Sequence, residues 1–224
     1  MDEQDQANGR MSGLPQLRVE RLLWNLNVNV ADYAHPAWLR SLVGSVDARR
    51  MPNNAARSAF LIERYQLDFV TSRHLDDGLA RIALLDAADL HRLARLGAAI
   101  ASREAIRLCV FGNDMRNCSR ALGRQVLDRV MTLERDIDLT LFDRLDLQCD
   151  TQRLPFRLLK AQRRLIHALC DGLPPAAAQR ARLRFRPRYF DGVAPLGDAR
   201  PLMHALLGMR RYADLSERAT CILG

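Results

Sequence analysis

Asp86-Ala87-Ala88-Asp89-Leu90-His91-Arg92-Leu93-Ala94-Arg95-Leu96-Gly97-Ala98-Ala99-Ile100 carries a helix start and a helical stripe in one run. Asp86 is placed to cap the first exposed amides, and Leu90, Leu93, Ala94, Gly97 and Ala98 recur at the three- and four-residue spacing of one helix face. The small residues on that stripe let a second helix approach closely, so the stretch predicts the centre of a helical packing unit. Outward from it, Asp76, Asp77 and Gly78 are turn or cap material before a helical Leu79 to Leu85. Met51-Pro52-Asn53-Asn54 is a break in which Asn54 caps a helix from Ala55 to Leu67. On the other side, Ser102 is expected to cap a helix running to Phe111, and Gly112-Asn113-Asp114 to punctuate before Met115 to Leu122. Further helices are expected from Gln125 to Leu133 and from Thr151 to Cys170. The latter has Phe156, Leu159, Ile166 and Leu169 on its apolar side and is ended by Gly172, Pro174 and Pro175. Between them, Asp136 to Gln148 alternates in a way that suits a strand, although helix is the preferred reading. Final helical pieces are expected from Pro201 to Met209 and from Leu215.

The fold class is therefore all-α: an irregular multi-helix fold with short strand or extended segments allowed. Residues 1–13 read as a flexible leader and 14–224 as a helical domain, either one body or two lobes of about 14–148 and 149–224. A chain of 224 residues with 48% hydrophobic content is long enough to bury a real core. The net charge of +8 raises nucleic acid or an anionic surface as partners. Against this, Lys160 is the single lysine among 34 basic residues, and the arginine, alanine and leucine richness reads as a composition bias of the source genome. Acidic residues are also interleaved, as in Glu134-Arg135-Asp136-Ile137-Asp138.

Two local features stand out. In Tyr33-Ala34-His35-Pro36-Ala37-Trp38-Leu39 the proline turns His35 out of helix and opens a new helical turn, which gathers Tyr33, Trp38 and Leu39 into an apolar anchor. In Arg180-Ala181-Arg182-Leu183-Arg184-Phe185-Arg186-Pro187-Arg188, arginine takes every second place. As a strand this run puts the guanidinium groups on one face; as a helix it spreads them around. Arg180, Arg182, Arg184, Arg186 and Arg188 are candidate contacts for an acidic protein partner, with a solvated surface as the plain alternative.

Chemistry is sought without result. Cysteines at 109, 118, 149, 170 and 221 never form C-x-x-C, and most sit in apolar helical contexts as small hydrophobes, which argues against a zinc site or a secreted disulfide scaffold. His74 lies beside Asp76 and Asp77, but no second histidine stands at a metal-ligand spacing, and the acids suit capping. His35, His91, His167 and His204 are scattered, and no glycine-rich phosphate loop occurs. No catalytic, cofactor or metal residue is assigned. The polar start lacks a signal-peptide core, and no stretch of about 18 apolar residues occurs. A cytoplasmic protein is the expectation, with any membrane association made through partners.

Trp24-Asn25-Leu26-Asn27-Val28 to Leu39 resembles the N-terminal signature of the SctK family (also called YscK, MxiK or OrgA), accessory proteins of the type III secretion sorting platform. A second stretch, Leu90 to about Val130, is similar to the family in its leucine-glycine helix, its Arg-rich helix from Arg103 to Leu108, and its tail Arg120-Ala121-Leu122-Gly123. The resemblance covers about residues 20 to 145. The chain departs from the commonest pattern at Ala37, where many members have Ser, and at Ile100-Ala101-Ser102, where many have a Leu-Leu-x-Pro break. What the resemblance implies is a noncatalytic adaptor at the cytoplasmic face of an injectisome. It would link the cytoplasmic domain of the inner-membrane ring protein (SctD-like) to the pod protein (SctQ-like), without a cofactor or small-molecule substrate. The rival class is a basic helical nucleic-acid-binding regulator, although no convincing helix-turn-helix is found.

Overall fold

The computed structural model describes residues 16–40, 51–109, 112–133, 140–143 and 154–224. The expected leader and most of the 136–148 segment lie outside them, as does Cys149. Among the described residues there is helix and no strand. In chain order the helices are α1 (Gln16–Val28), α2 (Val30–Tyr33), α3 (Ala37–Arg40), α4 (Asn54–Arg64), α5 (Ala87–Ala101), α6 (Arg103–Arg107) and α7 (Gly112–Leu122). They are followed by α8 (Arg124–Thr132), α9 (Thr140–Asp143), α10 (Leu154–Asp171), α11 (Pro175–Arg182), α12 (Arg200–Gly208) and α13 (Glu217–Leu223). The short helices at Ser72–Leu75 and Gly78–Leu84 are of the tighter 3-10 type.

α5 is the hub. Its Leu90, Leu93, Ala94, Leu96, Gly97, Ala98, Ala99 and Ile100 are all buried, so the helix is covered almost all round, as a central core helix must be. α10 is its main partner, and α7, α8, α9 and α12 pack against it as well. The small-residue stripe makes the close approach possible: a Cβ at Gly97 would stand 2.8 Å from Leu165 Cδ1 and 3.3 Å from Leu206 Cδ1. One apolar cluster runs from Leu23 and Leu26 of α1 to Ile222 of α13, and it includes residues on both sides of position 148. A second, small cluster joins Val30, Ala34, Leu61 and Leu183 beneath Trp38 and Tyr65.

Side-chain caps open four of the helices, those at Asn54, Gly78, Ala87 and Glu217. Asp86 accepts from the Asp89 amide at 2.8 Å and Asp77 from the Leu79 amide at 3.0 Å. His74, which the sequence sets beside two acids, accepts from the Thr71 amide through Nδ1 in the turn at Ser72–Leu75. The expected cap at Asn54 is displaced by one residue: Asn53 caps α4, accepting from Ala56, and Asn54 is the first helical residue, bonded to Asp32. The helix expected to run from Ser102 to Phe111 is the shorter α6, and Ser102 makes no side-chain cap to it. Gly112 opens α7 instead of breaking the chain before it. Gly123, at φ +86°, separates α7 from α8 in a conformation that favours glycine. Gln162 of α10 donates to the carbonyl of Ala121 there.

The apolar side of α10 also differs from expectation. Leu154, Leu158, Ala161, Leu165, Ile166 and Leu169 are buried, whereas Phe156 and Leu159 face outward, at 69% and 54% exposure. An α-helix this rich in leucine offers two apolar stripes, and packing against α5 selects only one.

The C-terminal helix is latched to the hub by Asp89. Its carboxylate accepts from the Ser216 amide (3.0 Å), the Ser216 hydroxyl (2.6 Å) and Arg92 (2.7 Å), while Ser216 Oγ in turn caps α13 by accepting from Ala219. Burial pushes the carboxyl upward, but the Ser216 and Arg92 bonds outweigh it and hold Asp89 below the usual carboxylate range.

Replacing Gly97 by valine is expected to cost about 1–3 kcal/mol through overpacking against Leu165 and Leu206, read as a lower midpoint in urea unfolding. Asp89→Ala is expected to cost about 1.5–3 kcal/mol at neutral pH. Because the folded pKa of Asp89 is depressed, its contribution is full above the unfolded pKa of about 3.9 and disappears as pH falls through the folded value. Urea midpoints of wild type and variant should therefore converge below about pH 4.

Candidate functional site

The two features that stood out in the sequence meet in space. α2 ends at Tyr33, and Pro36 turns the chain so that α3 carries Trp38 back over the C-terminal end of α11. The His35 amide donates to the Leu183 carbonyl at 2.7 Å, and Trp38 Nε1 donates to the Phe185 carbonyl at 2.7 Å. The indole meets the Tyr65 ring edge-on, 5.0 Å between centroids. Ala34 is buried, Tyr33, His35, Trp38 and Leu39 are half-buried, and Pro36 is exposed at the turn. Of the expected anchor residues, the structure therefore gathers Tyr33, Trp38 and Leu39 over the second cluster, with His35 supplying a backbone bond and a side-chain turn. His35 Nδ1 accepts from the Ala37 amide, and burial with Arg186 and Arg40 nearby lowers its pKa, which favours the neutral ring that can accept.

The arginine run is helix and turn, not strand, so of the two readings the one that spreads the guanidinium groups holds. Positions 177, 180, 181 and 184 form a helical stripe, and Ala177, Arg180, Ala181 and Arg184 are all buried. Arg180, at 1% exposure, is clamped by backbone oxygens: Nε donates to the Asp68 carbonyl (3.0 Å), Nη1 to those of Leu26 (2.8 Å) and Asn27 (3.3 Å), and Nη2 to that of Leu67 (3.4 Å). The planar fork suits this task, since it reaches several carbonyls from one rigid group. Arg184 donates to the Ala83 carbonyl at 2.7 Å and lies over the Tyr33 ring at 4.9 Å, a cation–π contact in a desolvated setting. Burial lowers its pKa and raises that of Tyr33. Arg180 and Arg184 are thus internal struts and are withdrawn as partner contacts. Arg182, Arg186 and Arg188 are exposed, and Arg182 is paired with Asp171.

Sequence reading missed several members of this junction. Asn27 is buried and forms a two-way pair with the backbone of Val70, donating to its carbonyl (2.8 Å) and accepting from its amide (2.9 Å). The Tyr33 hydroxyl donates to the Leu26 carbonyl (2.8 Å), the same oxygen that Arg180 holds. Ser58 of α4, also buried, accepts from the Ala31 amide at 2.9 Å. The signal for Arg180 and Arg184 was present in the sequence: their spacing of four, in phase with Ala177 and Ala181, is that of a buried helix face. Beside the junction, Phe185, Tyr189 and Phe190 form an aromatic group with His91 and His167.

The arrangement binds backbone carbonyls and amides. Burial pushes the thiols of Cys118 and Cys170 up to about 12, which leaves them protonated and poorly nucleophilic at neutral pH. Among the described residues no group of three His, Cys, Asp or Glu side chains stands close enough to hold a metal ion.

Arg180→Lys is expected to destabilise the protein by about 2 kcal/mol or more despite keeping the charge, since an ammonium cannot span the four carbonyls. Arg186→Lys, on the exposed side, is expected to stay within about 0.5 kcal/mol of wild type. Trp38→Ala is expected to cost roughly 3 kcal/mol and Trp38→Phe about 1 kcal/mol, separating ring packing from the indole hydrogen bond. Chemical denaturation of the four variants checks all of these.

No curated protein and no solved structure matches the chain. A protein family does, over residues 22–189, a span that begins in α1, ends at Tyr189 and so contains both halves of the junction. The family is described as YOP proteins translocation protein K, a type III secretion family, and it agrees with the resemblance carried by the Trp24–Leu39 and Leu90–Val130 stretches. With most of its length matched, the chain belongs to the YscK family.

Proposed function

We propose that this protein is a noncatalytic adaptor of a type III secretion sorting platform, linking the cytoplasmic domain of an SctD-like inner-membrane ring protein to an SctQ-like pod protein. The observation that carries the reading is the family match across residues 22–189. The character of the junction supports it. Its polar groups are spent on internal backbone carbonyls and amides, which is the chemistry of a stiff body that presents surfaces. The protein works without a cofactor, in the cytoplasm, and reaches the membrane only through its protein partners. No helix among the described residues is long and apolar enough to cross a membrane. A single helical domain is favoured over two lobes, because described residues on both sides of position 148 share one apolar cluster.

Arg186 and Arg188 are the members of the arginine run best placed to meet a partner, with Arg182 held by Asp171. The nucleic-acid reading draws less support, because the run that motivated it loses Arg180 and Arg184 to internal carbonyls. Sequence-blind, salt-sensitive DNA binding is all that the remaining charge requires.

The test is a pull-down of the purified chain against the SctD-like cytoplasmic domain and the SctQ-like protein from the same source. Both are expected to be retained at moderate salt. Arg186→Glu/Arg188→Glu should weaken one of them while leaving the unfolding midpoint unchanged. A folded wild-type protein that retains neither overturns the adaptor reading.

A further inference from the structure

The outward side of α10 bears its own stripe, at 156, 159, 160 and 163, opposite the face that packs on α5. Phe156 and Leu159 are more than half exposed, an unusual cost for two large apolar side chains one turn apart on a well-packed helix. They do not stand on a flat surface. Together with Lys160 and Arg163 they form one wall of a groove of about 630 Å³ whose other wall is Val193 and Ala194 in the loop after Asp191. Arg163 fixes that loop: its guanidinium donates to the carbonyls of Tyr189 and Asp191, the latter at 2.8 Å, and lies over the Tyr189 ring. The groove is thus built and held open by a half-buried cation.

None of the described residues lining the groove is acidic, and Lys160 at its edge is exposed and pairs with no carboxylate among the described residues. The segment that Arg163 grips by the backbone carries the exposed Arg188 and, at its end, the exposed Asp191. An apolar floor with an exposed lysine at its edge is complementary to an apolar side chain flanked by carboxylates. We infer that this groove is a docking site for an acidic amphipathic helix of a partner protein, with apolar anchors one turn apart seated against Phe156 and Leu159 and carboxylates meeting Lys160. The recess favours a peptide segment over a lipid surface, because membrane-binding apolar side chains protrude whereas these line a concavity. The inference deepens the adaptor reading and rests on it for the partner being a protein.

The experiment uses the full chain and a fluorescein-labelled synthetic amphipathic helix, with leucines one turn apart and glutamates on the flanks, followed by anisotropy. A second peptide has lysines in place of the glutamates. The acidic peptide is expected to bind about tenfold or more tighter than the basic one. Phe156→Ser/Leu159→Ser and Lys160→Glu should each weaken it by about tenfold with unchanged unfolding midpoints, as exposed positions allow. Equal binding of the two peptides, binding that ignores these variants, or no binding overturns the inference. So does saturable binding to phosphatidylserine vesicles that the same variants abolish while the acidic peptide does not bind.

The pull-down separates the two readings. If both partners are retained equally by wild type and by Phe156→Ser/Leu159→Ser, the groove fails and the adaptor stands. If the acidic peptide binds as expected but neither partner is retained, the adaptor assignment fails and the groove stands.

Discussion

A guanidinium buried at the foot of α11 sets the terms for the N-terminal part of this protein. Arg180 is placed in the interior with no ion pair among the described residues, and it is tolerated because backbone oxygens from two distant segments converge on it, at 26–27 and 67–68. An isolated buried charge would be prohibitive, and several charge-assisted hydrogen bonds offset that cost only if the carbonyls are held in place. The surrounding devices do this holding. Asn27 pins Val70, the Tyr33 hydroxyl shares the Leu26 oxygen, and Gln179 accepts from the Asp68 amide. Residues 26–27 and 67–68 are in effect gathered around one side chain of α11.

The Trp38 anchor and the arginine run are therefore one structure rather than two. Trp38 and His35 bind the carbonyls of Phe185 and Leu183, and Arg184 lies against Tyr33, so each feature completes the other. Directly beneath, α5 and α10 touch through a glycine, and the aromatic group of Phe185, Tyr189 and Phe190 bridges from the junction to His91 on α5 and His167 on α10. The result is a continuous path of packed groups from the first helices to the C-terminal latch at Asp89 and Ser216.

This architecture changes how the charge of the molecule should be read. A formal +8 overstates the cationic surface, since buried guanidiniums such as Arg180, Arg184 and Arg103 serve as hydrogen-bond donors to the fold. Many arginines stay exposed, Arg64, Arg73, Arg95 and Arg120 among them, and within the arginine run and the Phe156 groove it is Arg186, Arg188 and Lys160 that face outward.

Much of the fold was legible in the residues because its causes are local. Asp86 and Asp77 cap where their side chains can reach an amide two or three residues on, the Leu90–Ala98 stripe obeys the helical period, and Pro36 turns the chain whatever surrounds it. The family could be read too, from the Trp24–Leu39 and Leu90–Val130 stretches. The choice between equivalent helix faces was not local. α10 carries two apolar stripes, and α5 buried the one containing Leu158 and Leu165, leaving Phe156 and Leu159 outside. The alternating arginines are chemically identical in sequence, and only the approach of residues 26–27 and 67–68 made Arg180 a strut while Arg186 stayed in water. Caps and periods are decided within a few residues of chain, whereas burial of a face or a charge is decided by whatever distant backbone arrives to cover it.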